Sequence, residues 1–247
     1  MKGTLEICCT SYESASIADS AGADRIELCD NIFEGGTTPG PGLISRVCDN
    51  LNIDCYVLIR PRGGDFVYSD DEFEIMKADI RYCKEQGAEG IVSGVLTETG
   101  EVDVERTKQL VALVGDMDFT FHRAFDLTVD PQKALHDVIK TGASRILTSG
   151  LQNNVVEGKV MLRDLANWAG SDIKIMAGGG LKSSNFREVM DFTGCKEFHT
   201  TAKTWKFNQP KKGNDVPMNG AKDIPEDKVM VVSAEEINKI KEILEKS

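Results

Sequence analysis

Long apolar runs are absent from the 247-residue sequence, and so is any excess of basic residues. A membrane-spanning helix needs about 20 mainly apolar residues, so we expect no membrane partner. The net charge is −11, which argues against nucleic-acid binding because such proteins carry a basic face. The opening residues MKGTLEICCTS lack the apolar core of a signal peptide, so we expect no secretory leader.

Paired cysteines are also lacking. Seven cysteines are scattered along the chain, and none belongs to the Cys-X-X-Cys pair that is typical of zinc and redox motifs. An odd number of scattered cysteines favours reduced thiols, several of them in the core, over a disulfide framework. The seven are Cys8, Cys9, Cys29, Cys48, Cys55, Cys83 and Cys195.

No glycine-rich dinucleotide-binding turn follows the first predicted strand, where the chain reads CCTSYES, and this disfavours a doubly wound open sheet. Instead, strand and helix patterns alternate. The segments AGADRIEL, QGAEGIVSG and TGASRILTSG each read as a helix end, a glycine, a turn and a strand. The alternation predicts an α/β fold, a (β/α)₈ TIM-like barrel forming a single domain over residues 1–247. Strands are predicted near residues 4–9, 25–29, 55–60, 90–95, 118–122, 145–149, 173–177 and 196–200.

Helical periodicity and capping residues locate the helices. Three stretches carry apolar residues at helical spacing, namely SYESASIADSA, EFEIMKADIRYCKEQ and DPQKALHDVIKT, and Asp130 before Pro131 is a good N-cap. Residues of about 205–228 are rich in Lys, Asn, Pro and Gly, which predicts an irregular segment. A C-terminal helix is predicted over about 233–246, with Ser233 and Glu236 as its capping box.

Polar side chains gather at the ends of several predicted strands. In FTFHRAFD, residues 119–126, the two phenylalanines alternate like a strand before His122, Arg123 and Asp126 follow. Because successive side chains point to opposite faces, the apolar positions of each strand should face the helices and the others the barrel interior. This rule places five polar residues inside, near the carboxyl ends where barrel enzymes carry their sites. They are Glu6, Glu27, Arg60, His122 and His199.

These inward groups, with Asp126, are candidate catalytic residues. His122 has the chemistry of a general acid or base, Glu6 or Glu27 that of its partner, and Arg60 that of a clamp for an anion. A structural interpretation stays open for each of them, because a buried Glu–Arg pair is often only a salt bridge and a buried histidine is often a core residue.

Loops after the strands supply candidate substrate-binding residues. The AGGGLKSSN loop follows strand seven, where many barrels bind phosphate with backbone N–H groups and a helix N-terminus, and Ser183 or Ser184 is a candidate cap. Tight turns also need glycine, so this loop alone does not decide between the two uses. The candidates are Arg62, Asp65, Arg123, Ser149, Gly178, Gly179 and Gly180.

Cys8 and Cys29 are candidate metal ligands. They lie two residues after Glu6 and Glu27 on neighbouring strands about 4.8 Å apart, and soft sulfur ligands favour Cu(I). The stagger of a barrel puts neighbouring strands in different layers, so their pairing stays open at this point. The Glu and His residues are alternatively a set for a divalent metal that acts as a Lewis acid.

The chain resembles the CutC family of copper homeostasis proteins. The matching segments are GADRIELC, EGGTTPG, IRPRGGDFVYSDDEF, FHRAFD, RILTSG, IMAGGG and EFHTTA, in the family's order from about residue 4 to 202. The resemblance implies a TIM-like barrel, a cytoplasmic location, a homo-oligomer such as a dimer or tetramer, and a link to copper. It also implies that Cys8 and Cys29 are the copper-binding thiols.

Three functions are therefore open. The first is a cytoplasmic Cu(I)-binding homeostasis protein that uses Cys8 and Cys29. The second is a barrel enzyme that acts on a small phosphorylated or carboxylated metabolite with its Glu, His and Arg residues. The third is a non-catalytic oligomeric scaffold that uses the 205–228 segment. Copper or a small anionic metabolite is accordingly the expected partner.

Overall fold

Eight parallel strands close into a barrel in the computed structural model, which describes residues 3–208, 216, 218 and 224–246. The predicted (β/α)₈ barrel is confirmed, and each predicted strand range overlaps an observed strand. The strands are β1 (Thr4–Cys9), β2 (Arg25–Leu28), β3 (Asp54–Leu58), β4 (Gly90–Ser93), β5 (Asp118–Phe121), β6 (Arg145–Thr148), β7 (Lys174–Gly178) and β8 (Glu197–Thr200).

Eight α-helices occur in the described part of the chain, and most begin at a residue that can cap them. Ser69 and Glu72 form a reciprocal capping box at the start of α3, and Asp130 accepts hydrogen bonds from two backbone N–H groups of α5. The helices are α1 (Tyr12–Ser20), α2 (Pro41–Asn50), α3 (Asp70–Glu85), α4 (Val104–Val114), α5 (Pro131–Thr141), α6 (Lys159–Ala169), α7 (Ser183–Thr193) and α8 (Ala234–Glu245). None of the helices described has the length and apolar character needed to cross a membrane.

The glycine in each repeated segment ends a helix, as the sequence predicts. Gly142 follows α5 with a φ of 86°, a left-handed conformation that a residue with a Cβ adopts only with strain. The turn then leads directly into β6. Gly22 and Gly87 take the same conformation before β2 and β4.

Alternation along the strands divides the apolar residues into two layers. Leu5, Ile7, Ile26 and Leu28 are fully buried in the large core between the strands and the surrounding helices. A much smaller apolar cluster lies inside the barrel, and it consists of Cys8, Cys29, Tyr56, Leu58 and Val92, with Ile32 packed against it. Buried polar side chains such as Glu6, Glu27 and His199 share the interior with this cluster and with Leu147 and Met176, and the sequence places the candidate site among these polar groups.

The stagger between β1 and β2 sets the height of each inward residue. Glu6 lies opposite Arg25, and Cys8 lies opposite Glu27. Cys29 is therefore one inward position higher than Cys8, toward the carboxyl end of the barrel. The register thus separates the two cysteines along the barrel axis by one layer while keeping them on adjacent strands.

The segment of about 205–228, predicted to be irregular, contains strand residues at both of its ends. β9 (Lys203–Phe207) pairs antiparallel with β10 (Lys228–Val232), and Trp205 lies opposite Met230. Trp, Phe and Val favour strands, a local signal that the Lys-, Asn- and Gly-rich composition of the whole stretch hides. Residues 209–215, 217 and 219–223 of this segment lie outside the described residues. The predicted C-terminal helix agrees with α8. Only half of the predicted capping box is present: the Ser233 hydroxyl accepts from the backbone N–H of Glu236, but the Ser233 N–H donates to the carbonyl of Ala202 and the Glu236 carboxylate accepts from Ser183.

Candidate functional site

The amino end of the barrel interior is filled by a network of ion pairs. Glu197 accepts hydrogen bonds from Arg25 Nη2 (2.5 Å) and from Arg145 Nε (2.9 Å), and Arg145 Nη2 also donates to Asp118 (2.8 Å). Each guanidinium lies 5.1 Å from the centre of the Tyr56 ring. Burial opposes ionisation of Asp118, but its hydrogen bonds with Tyr56 and Arg145 lower its pKa to about 2. Every charge in this network has an oppositely charged partner, so the buried ions are compensated.

One layer higher, Glu6 links this network to His199. Its carboxylate accepts from Arg25 Nε (2.5 Å) and from Nδ1 of His199 (2.6 Å). Burial of Glu6 is complete and opposes its charge, but Arg25 and His199 outweigh that cost and lower its pKa to about 2. A carboxylate can only accept, so Nδ1 of His199 carries a proton and Nε2 is directed away from Glu6.

Nε2 of His199 faces a second carboxylate and a thiol. It lies 3.7 Å from Oε2 of Glu27, and ligand atoms of Cys8, Glu27 and His199 all lie within 4.8 Å of one another. Burial opposes the charged imidazolium, yet Glu27, Cys8 and Glu6 raise the pKa of His199 well above its usual value. Burial raises the pKa of Glu27. The three side chains form a donor set that a metal ion can join.

The two candidate thiols meet at the top of this set. Sγ of Cys8 and Sγ of Cys29 are 3.3 Å apart, and both residues are buried. The hydrogen bond between them and their burial raise the pKa of the Cys8 thiol well above its usual value. The structure therefore resolves what the stagger left open: the side chains bridge the one-layer offset of their strands.

His122 lies on the other side of the barrel, after β5. The backbone N–H of Ala124 donates to its Nδ1 (3.3 Å), so the proton of the neutral ring lies on Nε2. Nε2 is buried and has no hydrogen-bond partner among the described residues. Burial and the charge of Arg60 lower the pKa of His122 to about 3, which keeps the ring neutral at pH 7. Gly94 makes room for it, because a Cβ there would lie 2.8 Å from Nδ1.

Asp126 organises the loop that follows β6. Its carboxylate accepts from the side chains of Thr148 (2.5 Å) and Ser149 (3.0 Å), from the backbone N–H of Leu151 (3.1 Å), and from Nε of Arg123 (2.7 Å). Arg123 in turn donates from Nη2 to Ser149 (2.8 Å). With its oxygens engaged in this way, Asp126 positions Arg123, Ser149 and the loop rather than holding a free carboxylate in the cavity.

The arginines after β3 are largely occupied by loop contacts. Arg60 donates to the backbone carbonyls of Glu34 (2.8 Å), Gly36 (2.6 Å) and Gly64 (2.7 Å), which ties together the loops after β2 and β3. Arg62 pairs with Glu72 and with Asp65 at the protein surface. The structure does not bring Arg62 or Asp65 to the cavity described below, whereas Arg60 does line it.

The glycine loop after β7 is a candidate phosphate site from the sequence. In the structure, Gly178 and Ser183 make contacts with other parts of the protein. A Cβ on Gly178 would lie 2.5 Å from a Leu147 methyl carbon and 2.9 Å from His199, so this glycine lets His199 sit in place. At the start of α7, the backbone N–H and the hydroxyl of Ser183 donate to the carboxylate of Glu236 (2.7 and 2.9 Å). The helix N-terminus that was expected to hold a phosphate thus holds a carboxylate from α8.

A cavity of about 820 Å³ opens at the carboxyl end of the barrel and unites the two sides. Of the sequence-predicted candidates, it contacts Cys8, Glu27, Cys29, Arg60, His122, Arg123, Gly179, Gly180 and His199. Glu6, Asp126, Ser149 and Gly178 lie behind this surface and support it through the contacts described above. The predicted polar residues therefore fall into two sets: one set lines the cavity, and the other lies behind it and holds the lining residues in place.

Sequence reasoning did not identify Arg25, Arg145 or Asp118. The period-two rule contains the missing signal, since Arg25 lies two residues before Glu27 and must share its inward face. The same offset separates Arg145 from Leu147 in the repeated segment TGASRILTSG. Lys182, Lys203 and Lys239, which also line the cavity, have no such signal, because they lie outside the barrel strands, at the start of α7, in β9 and in α8.

Comparisons with known proteins agree with this architecture. A model of the CutC family matches residues 3–204. A family protein CutC from Chromobacterium violaceum is 42% identical over 247 residues, and the match covers 100% of both chains. The human copper homeostasis protein cutC homolog is 43% identical over 88% of this chain and 80% of the human protein. A crystal structure of a copper homeostasis protein CutC from Streptococcus agalactiae has a TM-score of 0.76 at 34% identity, covering 81% of this chain and 98% of that chain.

Proposed function

The chain belongs to the CutC family of copper homeostasis proteins, and we propose that it acts by binding Cu(I) at Cys8 and Cys29. The observation that carries the proposal is the 3.3 Å between the two sulfur atoms, inside the barrel and at the edge of a large cavity. Thiolates are soft ligands that favour Cu(I). Two thiols that bind the same small ion form a two-ligand site, whereas a single exposed cysteine supplies only one ligand.

His199 and Glu27 lie beside the two thiols and offer further ligand atoms. Metal-binding histidines commonly donate their second ring nitrogen to a carboxylate, which fixes the ring and makes the free nitrogen a better ligand. Glu6 takes that role for His199, and Arg25 holds Glu6 in turn. Nε2 of His199 then lies among Cys8 and Glu27 as a third ligand atom. This support distinguishes the site from a chance meeting of two thiols.

Copper binding at this site would release protons. The pKa of Cys8 and that of His199 are both raised, so both groups carry protons at neutral pH that a metal must displace. The apparent affinity for Cu(I) should therefore increase with pH.

The test is an anaerobic titration of the reduced, metal-stripped protein against a Cu(I)-specific chromogenic chelator. Wild-type protein is expected to take one Cu(I) per chain from the chelator, and Cys29→Ser is expected to abolish this stoichiometric binding. Cys48→Ser is the matched control, because Cys48 is a half-buried thiol on α2, outside the barrel interior, and its loss should leave the affinity unchanged. If the Cys8→Ser/Cys29→Ser double variant binds Cu(I) as tightly as wild type, the proposal is lost.

A divalent ion is the alternative occupant, which the mixed Cys, Glu and His donor set favours. Zn(II) binds N, O and S ligands together, whereas Cu(I) prefers the two thiols alone. Zn(II) and Mn(II) therefore belong in the same titration. Binding of Zn(II) that is lost in Glu27→Gln, together with Cu(I) binding no tighter than in the double serine variant, would favour this alternative.

We also propose that the protein is cytoplasmic and forms a homo-oligomer. All seven cysteines are free thiols, which suits a reducing compartment. Every residue of β9 is exposed, and Phe33 stacks on Trp205 at a ring distance of 6.4 Å. A two-stranded sheet is marginally stable alone, so a second copy that covers this face would stabilise it. Cell fractionation tests the location, and the mass of wild-type and Trp205→Ser protein in solution tests the oligomer.

A further inference from the structure

The cavity is far larger than a metal site requires. Its volume of about 820 Å³ falls in the range of roughly 300–1,000 Å³ that is typical of small-molecule sites. The thiols, Glu27 and His199 occupy only its β1, β2 and β8 side. The opposite side, formed after β5 and β7, carries polar groups that copper binding does not use.

His122 supplies a hydrogen-bond donor without an acceptor on that side. Its ring is held in place by the N–H of Ala124 on Nδ1 and by an edge contact with Phe66, whose ring centre is 4.8 Å away. The residue is 5% exposed to solvent, and its buried Nε2–H group has no hydrogen-bond partner among the described residues. A buried, unpaired donor costs about 1–3 kcal/mol, so a fixed position of this kind favours an acceptor that arrives with a ligand.

Arg123, the next residue in the chain, supplies a charge to the same cavity. Asp126 and Ser149 engage its Nε and Nη2, while 43% of the side chain stays exposed and contributes to the cavity wall. A Cβ on Gly179 would come within 3.4 Å of the guanidinium carbon, so the glycine loop lets Arg123 lie against it. The guanidinium is thus positioned before any ligand binds, and such preorganisation strengthens recognition of oxyanions.

The electrostatics of this side favour an anion although the whole chain is acidic. The charge of Arg60 acts on His122, and Arg123 lines the same cavity. The carboxylate of Asp126 is already engaged by Arg123 and by the β6 loop. The carboxylates that line the cavity lie elsewhere, with Glu27 on β2 and Glu235 and Glu236 on α8.

The usual anion position of such barrels is filled from within. Glu236 occupies the N-terminus of α7 through two hydrogen bonds from Ser183. An incoming phosphate would meet this carboxylate there and be repelled by it. Elsewhere in the cavity, His122 Nε2 and Arg60 Nε are buried donors without a partner among the described residues, and Arg123, Lys182 and Lys203 add positive charge to the lining.

We propose that the β5 side of the cavity, at His122 and Arg123, binds a small organic anion whose phosphate or carboxylate oxygens accept from His122 Nε2–H and from the Arg123 guanidinium. The site lies in the same cavity as the thiols but shares no ligand group with them.

Thermal unfolding of the metal-stripped protein with glycerol 3-phosphate, inorganic phosphate and malonate tests this site, with sodium chloride at equal ionic strength as the reference. A saturable rise in Tm is expected with at least one of these anions, because binding to the native state stabilises it by mass action. Arg123→Gln should weaken this binding about 10–100-fold, since a charged hydrogen bond is lost. Arg163→Gln is the matched control: Arg163 is 44% exposed and pairs with its neighbour Asp164 on α6.

The two chemistries separate in the same experiment. Cys8→Ser/Cys29→Ser should keep the anion response, so failure of copper binding and failure of the anion site are distinguishable. The ¹⁵N-attached Nε2 proton of His122 gives a second measurement, and its resonance should shift on addition of the stabilising anion. Equal responses of Arg123→Gln and Arg163→Gln, or no anion that stabilises wild type at millimolar concentration, would overturn the proposal and leave water as the partner of His122.

Discussion

The two sides of the cavity each carry one histidine, and these histidines have opposite surroundings. His199 lies between the carboxylates of Glu6 and Glu27, which raise its pKa well above the usual value despite burial. Burial and the charge of Arg60 lower the pKa of His122 to about 3. Two imidazoles in one cavity are therefore a cation and a neutral donor at pH 7. At His199 the neighbouring carboxylates outweigh the effect of burial, whereas at His122 burial and the charge of Arg60 act in the same direction.

The largest expected effect comes from removing the charge of Glu6 on β1, which supports His199 of β8. Glu6→Gln removes the charge that faces both Arg25 and His199 while keeping the shape of the side chain. Removing one partner of a buried ion pair typically costs about 3–5 kcal/mol, and we expect a loss of that size in the free energy of unfolding at pH 7, because Arg25 then keeps only Glu197, which also pairs with Arg145 and Lys174. Urea unfolding measures it. Glu188→Gln is the control, because this surface partner of Lys159 should contribute about 0–1 kcal/mol.

The pattern of alternating strands made the barrel predictable. Each strand had to bury its outward face against helices, and eight repetitions of the same pattern left few other folds. The inward positions of Glu6, Glu27, His122 and His199 followed from the same period of two. What the sequence carried was therefore the list of groups in the barrel and their approximate height.

The sequence could not reveal which of these groups had partners. Glu236 reaches Ser183 from 53 residues away along the chain, and nothing local indicates that contact. The 3.3 Å between Cys8 and Cys29 depends on strand stagger and side-chain direction, which a sequence pattern does not contain. Asp126, predicted as a catalytic carboxylate, is adjacent to Arg123 in the pattern, but its role in fixing the β6 loop depends on contacts with Thr148 and Leu151.

A smaller effect should appear in the pH dependence of the free energy of unfolding. It should have opposite signs for the two histidines, His122 and His199, on the two sides of the cavity. The pKa of His122 is about 3 in the folded state and about 6.5 when unfolded, so the unfolded chain binds more protons between these values. Stability should therefore fall as pH falls through this window. The contribution of His122 between pH 7 and pH 5 is about 2 kcal/mol, and it should vanish in His122→Gln. Comparing unfolding of the two proteins at both pH values measures it.

His199 provides the mirror test in metal-stripped protein. Its folded pKa is raised, so the native state binds the extra proton and its contribution is present below pH 6.5 and lost as pH rises. His199→Gln should therefore differ most from wild type below pH 6.5, and the difference should shrink through neutral and alkaline pH as the pH approaches the raised folded pKa. His136→Gln, at an exposed position on α5, serves as control for both. Slopes of the same sign for His122 and His199 would contradict the comparison.

The smallest expected effect separates folding from recognition on the β5 side. Arg123 is 43% exposed and pairs with Asp126 at the cavity wall, and ion pairs with this much solvent contribute about 0–1 kcal/mol to stability. Arg123→Gln should therefore change the urea midpoint little. Asp126→Ala should destabilise more, because it leaves the N–H of Leu151 and the hydroxyl of Thr148 without their acceptor. If Arg123→Gln is as destabilising as Asp126→Ala, then Arg123 holds the loop together, and its exposed guanidinium is a structural group rather than a ligand-binding one.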